Sequence, residues 1–270
     1  MRRRTVSYEE GLSLAHRVTE PAIRQAIRAL GIPKRSQGLD VGCGVGRHIL
    51  WLTEALEDTS QIAGLDVSFD RLVSARHVTL SSSRSVNFVA GDLRCTPFAD
   101  GSFDWIWCAD TLWPGQEIKN PETVVIELAR IIRPGGQIAF VYWSNQSLLP
   151  GYPMLEANLN RAFTATTPYF FGPPPERQFM RALGWLEAAG IKRPMAQSYV
   201  AELHGPLSES QQEAVAFCCE MLWGGLEQHV STQDWSLYKR LCRDTTDSCL
   251  FRQPDYYGYV IYTCFHGRIP

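Results

Sequence analysis

The sequence predicts an α/β protein built on a mostly parallel sheet, and three observations predict it. Strand-length apolar runs alternate with helix-period segments from Gly38 to Trp143. A glycine-rich turn, "GLDVGCGVGRHIL", stands between the first strand and the helix that follows it. Acids stand at the ends of successive strands, with Asp40 before the glycines, then Asp66, then Asp92. Repeated β-α units of this length imply a sheet covered by helices on both faces.

Each element follows from its pattern. Tyr8 to Leu30 is helical, with Ala15, Val18, Ala22, Ile23, Ala26 and Leu30 recurring at three and four, and Gly31 and Pro33 end it. Leu39–Val41 is a short buried strand and Arg47 to Leu56 a helix. "QIAGLDVS" is the second strand, with a helix over Phe69–Thr79 after it. "SVNFVAGD" and "SFDWIWCAD" are the third and fourth strands. Asn120 caps, and Pro121 opens, a helix to Ile132. Pro134-Gly135-Gly136 then turns the chain into a fifth strand, "QIAFVYWS".

After Trp143 the rhythm changes. Asn145 to Pro175 is rich in proline, glycine and aromatics. A helix over Arg177–Ala189 and a strand, "MAQSYVAELH", follow. Pro206 to Pro254 holds two helices, opened by Ser208 with Gln211 and by Ser231 with Asp234. "YYGYVIYTCFHG" is the closing strand, and no repeat or low-complexity tract interrupts the series.

Composition narrows the function classes. A chain of 270 residues fits one large domain or one domain with insertions. With 45% hydrophobic and 20% charged residues it reads as soluble and globular. A net charge of −2 gives no electrostatic basis for a nucleic-acid partner. The basic start has no apolar stretch behind it, because Glu9, Glu10 and His16 interrupt, so no signal peptide is expected. No uncharged apolar run of about eighteen residues suggests a membrane span. The eight cysteines form no C-x-x-C spacing, so no metal site is expected. Cys43, Cys95, Cys108 and Cys264 sit in apolar or strand-like runs, the usual place of inert buried thiols. Cys218 and Cys219, about 100° apart on a helix, cannot readily share an ion and read as core. This usage fits a reducing, cytoplasmic compartment.

So bare a turn at a strand end implies close approach of a ligand or positive φ, and a nucleotide is the leading candidate. A dinucleotide fingerprint requires G-x-G-x-x-G. Here Gly42 and Gly44 are followed by Arg47 where the third glycine belongs, and Gly46 comes one residue early. That argues against NAD. Asp66 is placed to accept from two ribose hydroxyls, its charge strengthening both bonds, and Asp92 from an exocyclic adenine amine. Each acid alone also reads as a helix cap or surface charge; together they point one way.

With these motifs the sequence resembles the class I S-adenosylmethionine-dependent methyltransferases, in the branch of ubiquinone/menaquinone-type and other small-molecule enzymes. "LDVGCGVG", "GLDVS", "GDLRCTPFADGSFDWI" and "ELARIIRPGGQIAF" carry the resemblance, which runs from Gly38 to Trp143. It implies a Rossmann-like seven-stranded sheet, mostly parallel with one antiparallel strand, and S-adenosyl-L-methionine as cofactor. Residue by residue, it sets Gly42, Gly44 and Gly46 against the methionine and ribose portion, with Asp40 ordering their loop. Asp66 becomes the ribose ligand, and Val67 lies beside the adenine. Asp92 and Leu93 meet the adenine edge. Ala109 and Asp110 form a backbone wall near the methionine carboxylate and amine.

The acceptor is a small, apolar or aromatic molecule in this reading. Methyl transfer is an in-line displacement in which alignment and desolvation do much of the work, so a base is optional. His204, closing "SYVAELH", is the candidate base. Tyr8, His48, Trp113, Trp143, Tyr169, Phe170 and Tyr256 are candidate pocket residues, each of which also reads as ordinary packing. The segments 145–175 and 206–254 are expected to form a helical lid on a single domain. Two alternatives stand beside this reading: a C-methyltransferase of quinone precursors, and a non-catalytic cofactor-binding partner subunit.

Overall fold

The computed structural model describes residues 8–56, 60–80, 86–115, 117–244 and 246–270, without the side chains of Tyr8 and Glu9. Seven strands form one sheet in the order β3-β2-β1-β4-β5-β7-β6. They are β1 (Gln37–Val41), β2 (Gln61–Asp66), β3 (Val86–Ala90), β4 (Phe103–Ala109), β5 (Ile132–Ser147), β6 (Met195–His204) and β7 (Tyr257–Arg268). The first five pair in parallel. The last reverses: Gly135 N–H donates to the Ile269 carbonyl at 2.9 Å and Ile269 N–H to the Gly136 carbonyl at 2.8 Å, so the start of β5 lies against the end of β7. The mostly parallel seven-stranded sheet is thus present.

Helices α1 (Tyr8–Ala29), α2 (Arg47–Glu54), α3 (Phe69–Thr79) and α4 (Pro121–Arg130) precede β1, β2, β3 and β5. The Ser68 hydroxyl caps α3 by accepting from Arg71 N–H. At α4 the Asn120 side chain makes no cap bond, so the start rests on Pro121, whose fixed φ suits a first helical residue. Gly38 is required in β1 because a Cβ there would strike the Trp105 ring. That ring is buried, and its indole N–H donates to Ser36 Oγ at 3.0 Å. Trp107 is buried on the same face, and Phe140, in register with Cys108, is buried with Tyr142 on the other.

Two local expectations change. Strand β5 begins at Ile132, before Pro134-Gly135-Gly136, and the glycines sit inside it beside a register shift between Phe103 and Trp105. The helix expected over Arg177–Ala189 is two short 3₁₀ turns and then α7 (Ala182–Ala188), because the Gln178 side chain accepts from Met180 N–H and starts a separate turn. The proline-rich stretch after β5, expected to be helical, holds α5 (Pro153–Thr166) and α6 (Pro168–Phe171), each begun by a proline.

The chain divides into two compact units. The larger comprises Ile23–Trp143, Gly172–Tyr199 and Tyr262–Pro270; the smaller comprises Met1–Ala22, Ser144–Phe171 and Val200–Ile261. Helices α8 (Glu209–Trp223) and α9 (Thr232–Tyr238) belong to the smaller unit. Both start as the sequence predicts: Ser208 and Gln211 form a reciprocal capping box, and Ser231 Oγ accepts from Asp234 N–H at 3.0 Å. Cys218 and Cys219 are fully buried in α8. Arg243 lies 4.8 Å over the Trp235 ring and grips both oxygens of Glu220. Cys95 corrects an expectation: it is exposed, because its strand has ended at Ala90. No helix among the described residues is long and apolar enough to cross a membrane.

Candidate functional site

Three left-handed glycines shape the turn after β1. Gly42, Gly44 and Gly46 have φ of +70°, +52° and +77°, where a side chain is strained. A Cβ on Gly42 would meet the Thr111 side chain at 2.1 Å, and one on Gly46 would meet Ala75 Cβ at 3.0 Å. A Cβ on Gly44 would meet nothing within 4 Å. Gly44 therefore borders open space, the arrangement expected where a ligand passes close to backbone.

The turn hangs on the end of β2. The Leu65 carbonyl accepts from Gly42 and Cys43 N–H at 2.7 and 3.0 Å. Asp66 Oδ2 accepts from Gly44 N–H and Oδ1 from Ser68 N–H, both at 2.9 Å. Asp40, expected to order the loop, makes no such bond. It is buried, and its Oδ2 has no hydrogen-bond partner among the described residues. Burial, then the nearby Asp66 charge, pushes its carboxyl well above the ordinary range. Asp66 is the carboxylate that orders the loop.

Beside Asp66, two apolar side chains stand out of the core, with Val67 75% and Phe69 71% exposed. Val67 was expected at an adenine face; Phe69 was not singled out, although its place just after the Ser68 cap is visible in the sequence. Past β3, the Asp92 carboxylate is held by Arg94. Nε reaches its oxygens at 3.0 and 2.9 Å, Nη2 reaches Oδ2 at 2.6 Å, and the Arg94 backbone N–H reaches Oδ1 at 2.8 Å. This pairing lowers the Asp92 pKa. Arg94 Nη1 also donates to the Glu117 carbonyl, tying the loops after β3 and β4. Leu93 between them is half-buried.

At the end of β4, Ala109 is buried and Asp110 takes a left-handed backbone, φ +45°, without being glycine. Its side chain accepts from Trp143 N–H at 3.0 Å and from Tyr262 Oη at 2.7 Å. Burial raises its pKa to about 6 against these two bonds, which lower it. Its carbonyl accepts from Trp113 Nε1 at 2.8 Å, and Thr111 Oγ1 donates to the Ala109 carbonyl at 2.8 Å while lying 3.3 Å from the Gly42 carbonyl. The β4 end is thus joined to the glycine turn. Tyr262 was missed because it lies 152 positions from Asp110 in the chain, and no local motif marks the pairing.

The other predicted residues scatter. Trp113 packs edge-on against Tyr142 and Phe179, at 5.1 and 5.0 Å, as part of an aromatic cluster. Trp143 lies 6.1 Å from Tyr262. His48 stacks on Trp51, and its Nδ1 accepts from Trp107 Nε1 at 3.3 Å, a packing role for α2. In the smaller unit, Tyr169 and Phe170 pack on each other at 4.8 Å. Tyr256 is core there, not a pocket wall: its ring is buried and its hydroxyl donates to the Leu148 carbonyl at 3.1 Å. His204 is exposed at the end of β6, 3.9 Å from Glu202 and 5.2 Å from the Tyr257 ring. The side chain of Tyr8 lies outside the described residues.

Open space over Gly44, a donorless buried oxygen on Asp40 and exposed apolar side chains beside Asp66 fit an adenosyl cofactor with a polar tail. A family described as a methyltransferase domain matches residues 39–140. A demethylmenaquinone methyltransferase of Bacillus licheniformis is 32% identical over 114 residues, which cover 42% of this chain and 47% of that protein. The chain spans about half the length of the curated relatives it matches. An S-adenosylmethionine-dependent methyltransferase of Thermotoga maritima superposes with a TM-score of 0.52 at 17% identity, covering 99% of this chain and 97% of that one. A phosphoethanolamine N-methyltransferase of Haemonchus contortus, in complex with S-adenosylhomocysteine, gives 0.56 at 14% identity over 99% and 58%. The last two likenesses are of fold.

Proposed function

Because residues 39–140 match a methyltransferase domain, we propose that this chain is an S-adenosylmethionine-dependent enzyme that methylates a small, apolar or aromatic molecule. The observation that carries the reading is the Gly44–Asp66 pair, an open glycine beside a buried carboxylate. The cofactor supplies an electrophilic methyl group on sulfur, open to in-line attack. The chain's residues bind and orient it. Asp66 has lone pairs beyond the two it gives to Gly44 and Ser68, and these suit ribose hydroxyls. Asp92, kept ionised by Arg94, accepts from the adenine amine, with Val67 and Leu93 against the ring. Gly42, Gly44 and Gly46 let the backbone approach, and the Ala109–Asp110 backbone faces the amino-acid tail.

Acceptor recognition falls to segments 145–175 and 206–254, which hold α5, α6, α8 and α9. His204, exposed at the end of β6, is kept as the candidate base, and alignment supplies much of the rate whether or not a base takes part. The eight cysteines stand as free thiols, which supports a reducing, cytoplasmic setting. The named relatives favour a second reading, a quinone precursor methylated at carbon.

Calorimetry with S-adenosylhomocysteine and NAD is the first test: the former binds and the latter does not. Transfer of a methyl group to members of a phenol, amine and quinol panel, read by mass spectrometry, is the second. Binding of NAD without either adenosyl ligand overturns the reading. Tight adenosyl binding with no turnover on any acceptor favours a partner subunit.

A further inference from the structure

The smaller unit carries an open cavity of about 530 Å³ at its surface, with Gly151, Pro153 and Ala157 exposed at its wall, that none of the predicted pocket residues lines. Its wall is built from the end of β5, the turn that follows, the start of α5 and Tyr259 of β7. A volume of this size falls in the range of small-molecule sites. The composition and hydrogen bonding of the wall limit what can enter.

Glu156 is the only charged residue in the lining, and it is already engaged. Its Oε1 accepts from Leu148 N–H at 2.8 Å; Oε2 accepts from Leu149 N–H and Ser147 Oγ, both at 3.3 Å. The carboxylate clasps the turn at the cavity's edge. With no lysine, arginine or histidine in the lining, an anionic ligand would meet a buried carboxylate and no counter-charge.

Asn160 is oriented by its neighbours. The Trp223 indole N–H can only donate, and it points at Asn160 Oδ1 at 3.0 Å. Gln146 Nε2 donates to the same oxygen at 3.1 Å. These two donors fix the amide so that its oxygen is used and its N–H₂ remains to give. Tyr259, on the opposite strand, adds a hydroxyl with no protein partner among the described residues. Leu149, Pro150 and Pro153 supply apolar wall. The Asn160 N–H₂ and the Tyr259 hydroxyl can therefore donate beside that apolar wall, in a lining of mixed polarity.

We propose that this cavity binds a small uncharged molecule with an apolar ring body and a carbonyl or ether oxygen, which accepts from Asn160 Nδ2 and Tyr259 Oη. This deepens the proposed function by naming the class of molecule the smaller unit recognises, and it rests on that reading only for the claim that such a molecule is the methyl acceptor.

The experiment uses the full chain and two bicyclic probes of similar size, 1-tetralone (neutral ketone) and 1-naphthoate (anion). Binding is followed by backbone-amide NMR shifts. Tetralone should shift the amides of Leu149, Gly151, Ala157 and Asn160, and naphthoate should not. Ala157→Phe intrudes a ring into the cavity from an exposed helix position without removing a hydrogen bond, and should weaken tetralone binding by about tenfold or more. Tyr259→Phe should weaken it by roughly threefold to tenfold. Three results overturn the proposal: equal binding of both probes, shifts confined elsewhere, or unchanged affinity in folded Ala157→Phe protein. Absence of tetralone binding up to its solubility limit does so too. S-Adenosylhomocysteine calorimetry on the same samples separates the two readings. If it binds while tetralone does not, the cavity inference alone fails; if tetralone binds while it does not, the methyltransferase reading alone fails.

Discussion

The Tyr262 hydroxyl donates to the Asp110 carboxylate at 2.7 Å, joining β7 to the end of β4 across 152 positions of chain. Trp143 N–H adds the second donor from β5. The left-handed turn that carries Asp110 is therefore held by three strands, and through Thr111 it reaches the glycine turn. Strain of this kind at a non-glycine residue persists only where neighbours over-determine it. Tyr262→Phe removes one of two bonds to the half-buried Asp110 carboxylate and should lower stability by about 1.5–3 kcal/mol at neutral pH. Urea denaturation measures this, and a loss below the fitting error would mean that Tyr262 does not hold the Asp110 turn.

Asp110 also sets a pH dependence with a defined sign. Its carboxyl ordinarily titrates near 3.8, and in the fold burial raises it to about 6. Between these values the folded chain holds a proton that the unfolded chain has released, so stability falls as pH rises through that window and levels above it. Asn tolerates the left-handed backbone and has no charge to desolvate. Asp110→Asn should therefore flatten the decline, which is on the order of 2–3 kcal/mol for such a shift. Melting temperatures of both proteins from pH 4 to pH 7 are the comparison. Parallel curves would show that another group controls the window.

Glu127 works in the opposite sense. Its carboxyl is held down to about 2, first by Arg130 and then by Thr96, with Thr96 donating both N–H and Oγ1 at 2.8 Å. Its contribution is complete above the ordinary carboxylate range and is lost as pH falls toward 2. Glu127→Gln removes that acid-side dependence, so melting temperatures of the two proteins should converge as pH falls from 5 toward 2. A gap that stays constant over this range would show that Glu127 does not titrate with folding.

Asp66→Ala tests cofactor binding directly. It removes the acceptor assigned to the ribose, and charge-assisted bonds contribute about 1.5–3 kcal/mol each, so S-adenosylhomocysteine affinity should fall by about tenfold or more. Because Asp66 also receives Gly44 and Ser68 N–H, Asp66→Asn is the companion variant, keeping one acceptor for the turn. Unchanged affinity in both folded variants would refute the ribose assignment.

The three glycines should separate by substitution. Gly42→Ala drives a methyl into Thr111 and should cost stability beyond the backbone strain of about 1–3 kcal/mol that a left-handed alanine carries. Gly44→Ala meets open space, so it should carry the strain alone and show its larger effect on adenosyl affinity. Thermal melts beside calorimetry distinguish the two; equal stability losses and equal affinity losses would contradict the division.

Legibility in the sequence followed the range of the interactions. Helices α1 and α3 and strand β6 could be bounded closely because their signals are local, such as the apolar period of Ala15, Val18, Ala22, Ile23 and Ala26. The glycine turn and Asp66 were equally visible. What was hidden is non-local. Nothing near Asp40 in the sequence shows that Leu65 and Asp66 would take the turn's N–H groups. Nothing near Asp110 points to Tyr262. The bounds of helix α5 were hidden for another reason, since Pro153 reads as a breaker unless it is recognised as a first helical residue. Tyr256 showed the reverse error: its place before a closing strand suggested a pocket, while burial and the Leu148 carbonyl made it core.

The exposure of Cys95 has a practical corollary. The other seven cysteines are buried, so a maleimide dye applied to the native protein should attach at this one position. Cys95 N–H donates to the Asp92 carbonyl, which puts the dye three residues beyond the carboxylate that Arg94 grips. The unmutated chain thus carries its own fluorescent reporter for the loop after β3. A titration with adenosyl ligands would be read there as a change in emission, without a radiolabel and before any acceptor is known.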